Sequence, residues 1–388
     1  MNDAEWNDLP RWRVPFNWRA FGRKNRYLVR TTGKIGNRAL RMSAVLGLYG
    51  ANQAGWMLDQ LVAPGWDKVA VNGPVFIIGH QRTGTTLLHR TLARDPNAVA
   101  MTLSEMLLPA VSTRRLIDAF WRFDATLGGR IKRFADDFQD RRLAGLEGIH
   151  QIRLDRIEED EFVLFAVYRS GMAINSTPAV AADRELNRLR DFSAWSEEEK
   201  RLALGWYRAV LMKALYRAER TRGPNPHRFV VAKNPAFSQR IPDLLKVFPA
   251  AKFIHLVRNP TETIPSRLSL VQAVQALRNA DHPGLSRGEI AEIVADSVRT
   301  YLLADRDLAT LPADKAVTIR FEDLVGDIAG SVGRIYRQLR LPGEPPAVIE
   351  QRADGTSRGS HDYSLDEFGL AEADLRRELA PIYAEHGY

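Results

Sequence analysis

Pro74-Val75-Phe76-Ile77-Ile78-Gly79-His80-Gln81-Arg82-Thr83-Gly84-Thr85-Thr86-Leu87-Leu88 is the stretch on which the fold turns. Its first five residues are a short unbroken apolar run, the pattern of a strand buried on both faces of a parallel sheet. Two glycines follow with four residues between them, and Thr85 to Arg94 has helical spacing. Strand, Gly-x4-Gly, helix is the layout of a phosphate-binding loop. The glycines let the backbone curl so that several N–H groups point at one anion, and the helix N-terminus adds the positive end of its dipole. In a nucleoside triphosphatase the residue after the second glycine is a lysine that reaches the β- and γ-phosphates. Here that position is Thr85, which argues for an anion site and against hydrolysis of ATP or GTP. Arg82 supplies a cation from inside the loop.

Further strands lie outward from this stretch. Arg228–Lys233, Ala251–Val257 and Ala316–Arg320 are core-type runs, and a shorter one sits at about Val99–Met101. Helical patterns separate them, at Ala236–Phe248, from about Pro260, at Ser331–Leu339 and over the last 25 residues. Strands alternating with helices predict a three-layer, P-loop-like α/β fold with a central parallel sheet. Between Met101 and Arg228 the chain reads mostly as helix, over Arg114–Leu146, Glu158–Val167 and Ser196–Thr221. The run Ser196-Glu197-Glu198-Glu199 has capping-box form. This region, about 103–227, is expected as a helical cap over the sheet's carboxyl edge, where ligands bind in such folds. Residues 71–388 are then one α/β domain, with residues 1–70 as a basic helical arm.

Composition narrows the function. The chain has 388 residues, 45% of them hydrophobic, and no cysteine. Disulfides, zinc-thiolate sites and cysteine nucleophiles are excluded, and a reducing, cytoplasmic setting is expected. No signal-peptide pattern follows the polar Met1–Leu9 segment. The most apolar stretch, Met42–Leu58, is interrupted by Asn52, Gln53 and glycines, so a membrane span is not expected. Asn175-Ser176-Thr177 matches a glycosylation sequon and carries little weight without a secretory signal.

The net charge of +8 is local. Arg11 to Leu58 holds ten Lys/Arg and no acid; without those ten, 45 basic residues face 47 acidic ones. Trp6, Trp12, Phe16, Trp18, Phe21 and Tyr27 are interleaved with these arginines. The favoured reading is an arm, helical over Arg38–Leu61, that packs its aromatics on the main domain. Peripheral contact with an anionic membrane, at the inner face, comes second. Nucleic-acid binding is not expected.

A second anion site is written at Phe253-Ile254-His255-Leu256-Val257-Arg258-Asn259-Pro260. Arg258 stands at a strand's carboxyl end and Ser266 follows two helical turns later, a pairing suited to a phosphate. Two phosphate sites without the triphosphatase lysine suit a nucleotide that carries separate 5′ and 3′ phosphates.

Together these motifs resemble the sulfotransferases that use 3′-phosphoadenosine 5′-phosphosulfate (PAPS) and release the bisphosphate PAP. The resemblance is to a bacterial branch, similar to tyrosylprotein and glycosaminoglycan sulfotransferases. Phe76–Leu88 resembles their 5′-phosphosulfate loop, and Phe248–Pro260 with Ser266 their 3′-phosphate motif. Ala232-Lys233-Asn234-Pro235 resembles their lysine motif, Arg320-Phe321-Glu322-Asp323-Leu324 a later motif, and His361–Leu370 a tail of the bacterial branch. The match runs from about Pro74 to the end and is loose in the helical middle. Two departures stand out: His80-Gln81 replaces the usual hydrophobic-Pro pair, with Thr83 where the family usually has Ser, and Pro265 lies beside Ser266, where a kink is expected.

By that resemblance, the amides from Arg82 through Thr83, Gly84, Thr85 and Thr86, with the Thr hydroxyls, hold the 5′ end of PAPS. Arg258 and Ser266 hold the 3′-phosphate, and no metal is required. Arg82 and Lys233 are expected to stabilise the leaving group. Glu105 follows the second strand and resembles the glutamate found there in tyrosylprotein and glycosaminoglycan sulfotransferases; it is the chosen base for a hydroxyl acceptor on a carbohydrate, lipid or other alcohol, provided burial raises its pKa. The rivals are His150 and the run Asp155, Glu158, Glu159, Asp160, Glu161, read for the most part as a solvated helix face. His89, on the loop helix, is taken as structural. The competing functions are a P-loop nucleotide kinase or hydrolase, and a non-catalytic binding protein on a nucleotide fold.

Overall fold

Buried Val, Ile and Phe runs make the sheet. In the computed structural model the strands are Val75–Gly79 (β1), Ala98–Val99 (β2), Phe229–Lys233 (β3), Lys252–Val257 (β4) and Ala316–Arg320 (β5). All pair in parallel, in the order β2-β3-β1-β4-β5. The structure describes residues 13–32, 36–143, 153–175, 183–278, 284–348 and 364–388. Trp6, Trp12, His150, the Ser176-Thr177 of the sequon and His361-Asp362-Tyr363 lie outside the described residues.

The chain divides into two compact units. One comprises Val71–Ala100 and Asn225–Tyr388 and contains the sheet. β1 and β3 are buried along their whole length, which is why they read as unbroken apolar runs and not as alternation. One cluster joins Val75 and Ile77 to Leu88 and Leu92 of the loop helix Thr85–Leu92 and to Val332, Ile335 and Leu339 of the helix Ile328–Leu339. From the same strand Phe76 meets the rings of Phe237, Phe248 and Phe253 at 5.6–5.7 Å. Successive side chains of β1 therefore enter separate packing layers, as a strand with helices on both sides requires. The register sets Ile77 beside Lys233, Gly79 beside Leu256 and Val257 beside Arg320, so the chemistry-bearing ends of β1, β3, β4 and β5 share one edge.

Several helices differ from their sequence reading. Ala236–Phe248 is not one helix but a 3₁₀ turn, Pro235–Gln239, and a short α-helix, Ile241–Val247; between them Arg240 has φ −128°. Pro265 lies inside the helix Pro260–Arg278, which runs on through it. At the sixth position the proline removes one intrahelical bond, the one to the Thr261 carbonyl, near the start of the helix. The helix Arg287–Leu308 has no counterpart among the predicted elements.

The other unit comprises Met1–Ala70 and Met101–Pro224. Arm and cap helices pack together here. Trp56 and Trp66 of the arm stack near each other, and Trp56 lies 4.5 Å from the Trp206 ring. Phe16 and Phe21 are buried beside Tyr168. Asp59 accepts from the Val111 and Ser112 amides, each at 2.7 Å, and so caps the helix Val111–Thr126 from a different element. It also meets the buried ammonium of Lys213 at 2.5 Å, under the faces of Trp56 and Trp66. Burial pushes the Lys213 pKa down to about 8, against the pull of Asp59. The predicted helical region Arg114–Leu146 is a hairpin of two helices, Val111–Thr126 and Arg130–Leu143. It breaks at Gly128-Gly129, both at positive φ. The segment read as helix over Glu158–Val167 is helical only at Glu161–Phe165.

Candidate active site

The loop after β1 owes its shape to three residues with positive φ: Gly79 at 135°, Arg82 at 71° and Gly84 at 84°. A Cβ on Gly79 would lie 2.1 Å from the Leu256 carbonyl oxygen, so this glycine permits β1 and β4 to pair up to the turn. On Gly84 it would lie 2.8 Å from the Phe321 ring, while the residue itself starts the loop helix. Arg82 holds a left-handed conformation without being glycine, which costs about 1 kcal/mol and directs its side chain.

That side chain turns toward the second motif. Arg82 Nε donates to Ser266 Oγ at 3.0 Å, and Arg258 Nη1 donates to the Arg82 carbonyl at 3.3 Å. Arg258 lies 4.3 Å over the Phe321 ring and pairs with the half-exposed Glu262 at 2.5 Å. Two guanidinium groups and a hydroxyl from the two sequence motifs thus converge within this unit. Three donors of this kind match the charge and the hydrogen-bonding needs of a phosphate. Phe321, quoted only as part of a later motif, is the residue that touches both the loop and Arg258.

One expectation for the loop needs correction. The Thr83 hydroxyl does not face outward: Thr83 is fully buried and its Oγ1 donates to the His80 carbonyl at 2.7 Å, closing the turn. Only its amide can serve an anion. Arg82, expected at the leaving group, has its Nε on Ser266 of the second motif. Thr85 and Thr86 open the helix as expected.

Lys233 ends β3, opposite Ile77, and is fully buried. The next amide, Asn234, donates to the Ile77 carbonyl at 3.0 Å, tying the lysine motif to the strand that carries the loop. The Lys233 charge is felt at His89, whose pKa falls to about 3, first through burial and then through this ammonium. His89 Nε2 lies 3.3 Å from the Val231 carbonyl, which agrees with its structural reading.

A support behind the loop escaped the sequence reading. His80 stacks on Tyr301 with ring centroids 5.0 Å apart and 12° between the planes. Its Nε2 lies 2.9 Å from Ser297 Oγ, which also accepts from Arg267 at 2.9 Å; Arg267 in turn pairs with Asp296 at 2.5 Å. Burial and the Arg267 charge hold the His80 pKa at about 3, so the ring is neutral. The Tyr301 hydroxyl donates to the Arg258 carbonyl at 3.0 Å and meets Thr263 Oγ1 at 2.6 Å. One tyrosine therefore links the 5′ loop, through the His80 stack, to the start of the 3′ motif. His80 stands where the resembling family has a hydrophobic residue, and the stack is its physical reason. Asp296, Ser297 and Tyr301 come from the helix Arg287–Leu308, for which Ser286-x-x-Glu289 was an available start signal: both halves of that capping box are formed.

Glu105 belongs to the other unit. It closes a capping box with Thr102, accepting from the Thr102 amide at 2.8 Å, and pairs with Arg217 at 2.7 Å. Burial pushes its pKa up, but Arg217, with the Thr102 amide and Arg114, holds it below the ordinary carboxylate value. The argument from a raised pKa is thereby overturned. Its rivals also change character. Glu158, Asp160 and Glu161 are buried, not a solvated face, and Asp160 accepts from the Tyr207 hydroxyl at 2.7 Å. Asp155 is exposed and pairs with Arg153 at 3.1 Å.

A central parallel sheet with an amide loop after its middle strand and an arginine-rich second motif on the next strand defines an anion-binding α/β protein of the P-loop-like kind. The chain belongs to the sulfotransferase family, whose sequence profile matches residues 74–345. It is 29% identical over 282 residues to the omega-hydroxy-beta-dihydromenaquinone-9 sulfotransferase Stf3 of Mycobacterium bovis and of Mycobacterium tuberculosis. That match covers 71% of this chain, which spans 64% of the length of those relatives. The solved sulfotransferase STF1 of Mycobacterium tuberculosis H37Rv superposes with a TM-score of 0.64 at 20% identity, covering 98% of this chain and 97% of that one. STF9 of Mycobacterium avium gives 0.62 at 19%, covering 98% and 88%. At such identities these two likenesses are of fold.

Proposed function

We propose that this protein transfers the sulfuryl group of PAPS to a hydroxyl acceptor and releases PAP. The observation that carries the reading is the convergence of Arg82, Arg258 and Ser266 beside an amide loop whose lysine position is Thr85. Within it, the amides of Arg82, Thr83, Gly84, Thr85 and Thr86 hold the 5′ end, and Arg258, Ser266 and Arg82 the 3′-phosphate. Lys233 is assigned the leaving oxygen: a buried ammonium at the strand edge stabilises charge that develops in transfer more than it would in water. The Stf3 relatives are named for an omega-hydroxy compound, and on that likeness we take the acceptor to be the hydroxyl of a largely apolar alcohol. Labelled PAPS with cell extract is the screen for it.

Isothermal titration tests the donor site. PAP binds without magnesium and ATP does not, and Arg258→Ala weakens PAP by about tenfold to a hundredfold, the loss of charge-assisted hydrogen bonds. Magnesium-dependent ATP binding with no PAP binding would return the chain to the kinase or hydrolase reading.

A further inference from the structure

All of the exposed large hydrophobic side chains among the described residues, apart from Val325, belong to the unit built from Met1–Ala70 and Met101–Pro224. Seven of them lie on the arm and seven on the hairpin Val111–Leu143, which carries all four of the exposed phenylalanines. On its first helix Leu116, Phe120, Phe123 and Leu127 are exposed; on its second, Ile131, Phe134 and Phe138. At about 100° per residue each set falls within an arc of roughly 60°, one apolar stripe per helix. Three phenylalanines, Phe123, Phe134 and Phe138, are 62%, 66% and 55% exposed. A single such residue is ordinary, but two aromatic stripes on one hairpin are not.

The hairpin is held firmly in its own unit. Asp124 is buried and accepts from the Ile131 and Lys132 amides at 3.0 and 2.9 Å, so one carboxylate caps the second helix across the Gly128-Gly129 turn. Asp59 caps the first helix, as described above, and Arg115 donates to the Val62 carbonyl at 2.9 Å. The stripes are thus presented on a fixed support.

Charge identifies what covers them. Residues 111–143 hold eight Lys/Arg and five Asp. Asp124 is spent on the turn, Asp118 pairs with Arg114 and Arg217, Asp136 and Asp140 pair with Lys132 and Arg153, and Asp137 is exposed. Arg122, Arg130 and Arg133 stay exposed on the same helices. Aromatic stripes flanked by arginine complement a surface that is apolar inside and negative outside, which describes an anionic lipid bilayer. A membrane-crossing role is not implied, since no helix among the described residues is long and apolar enough to span one.

We propose that the hairpin Val111–Leu143 docks this protein on anionic membrane surfaces, with Phe123, Phe134 and Phe138 entering the headgroup region. This moves the contact from the basic arm, where Phe16, Phe21, Trp56 and Trp66 are buried and Trp18 is exposed, to the hairpin, where four phenylalanines are exposed. Deleting the arm would also remove Asp59 from the buried Lys213, so point substitutions in the full chain are the right probe.

The test is flotation of the full chain with phosphatidylcholine vesicles, with and without phosphatidylglycerol. The wild type floats with the anionic vesicles and is partly released by high salt. The double variant Phe123→Glu, Phe134→Glu partitions at least about a hundredfold less, about tenfold for each ring kept out of the headgroup region. Its PAP affinity and thermal midpoint stay at the wild-type values, which separates a docking defect from misfolding and from failure of the donor-site reading. Equal flotation of both proteins, or no flotation of the wild type, overturns the proposal. So does a wild-type dimer in sedimentation that the double variant abolishes without any vesicle binding: the stripes would then face a second copy of the chain.

Discussion

A left-handed Arg82 and a neutral His80 shape the donor site more than the two glycines that announce it. Glycine explains how the loop bends; the arginine's positive φ explains why its guanidinium reaches Ser266, and the His80 stack explains why the family's usual hydrophobic residue can be absent. Glu105 is the residue whose reading changed most. Read as a carboxylate raised by burial, it is instead held low by Arg217 and the Thr102 amide. An ionised carboxylate can still take a proton, at the cost of weak basicity. Glu105→Gln therefore decides its role: if Glu105 carries the proton, steady-state turnover falls by at least about a hundredfold while PAP affinity is unchanged. Turnover near wild type would move the base to the buried carboxylates of Glu158–Glu161.

At the scale of elements, the strands were legible and several helices were not. Runs such as Val75–Ile78 and Phe253–Val257 are bounded by sharp changes of composition, and a strand buried on both faces has little choice of residue. Helix boundaries depend on local competition: Arg240 interrupts one expected helix and Gly128-Gly129 divides another. The unpredicted helix Arg287–Leu308 carries Ser297 and Tyr301 to the back of the loop, and its start rests on the Ser286–Glu289 capping box. Ser286→Ala should lower stability by about 1 kcal/mol, read as a shift of the urea midpoint at constant slope. An unchanged midpoint would show that tertiary packing alone holds that end of the helix.

For the whole molecule, acid should be the weak direction. His80 and His89 have pKa values lowered to about 3 and His255 to about 4, in each case first through burial, against an ordinary value of 6.5. All three are neutral when folded and protonate when unfolded. The stability they contribute is fully present above pH 6.5 and is lost as pH falls toward 4 and 3, because the unfolded chain then binds more protons. Near pH 5 these groups together give a slope approaching about 4 kcal/mol per pH unit. Urea unfolding as a function of pH measures it, and His255→Gln should flatten the slope by about a third; a slope unaffected by that substitution would contradict the assignment.

The sequence by itself determined the parallel sheet, the loop at Gly79–Thr86 and the second motif at Arg258 and Ser266. These are local patterns: a buried strand, a glycine-shaped turn and a helix start are each specified within about fifteen residues, and their order along the chain implies one edge. Only the tertiary structure decided which side chains meet there. It brought Arg82 to Ser266, set Tyr301 between His80 and Arg258, gave Glu105 its Arg217 partner, buried Phe16, Phe21, Trp56 and Trp66 of the arm and left the phenylalanines of the hairpin exposed. Each of these joins residues far apart in the chain, or depends on what else covers a face. Periodicity records that a helix has an apolar side, not which neighbour buries it, and a carboxylate's pKa follows the charge that folding places beside it.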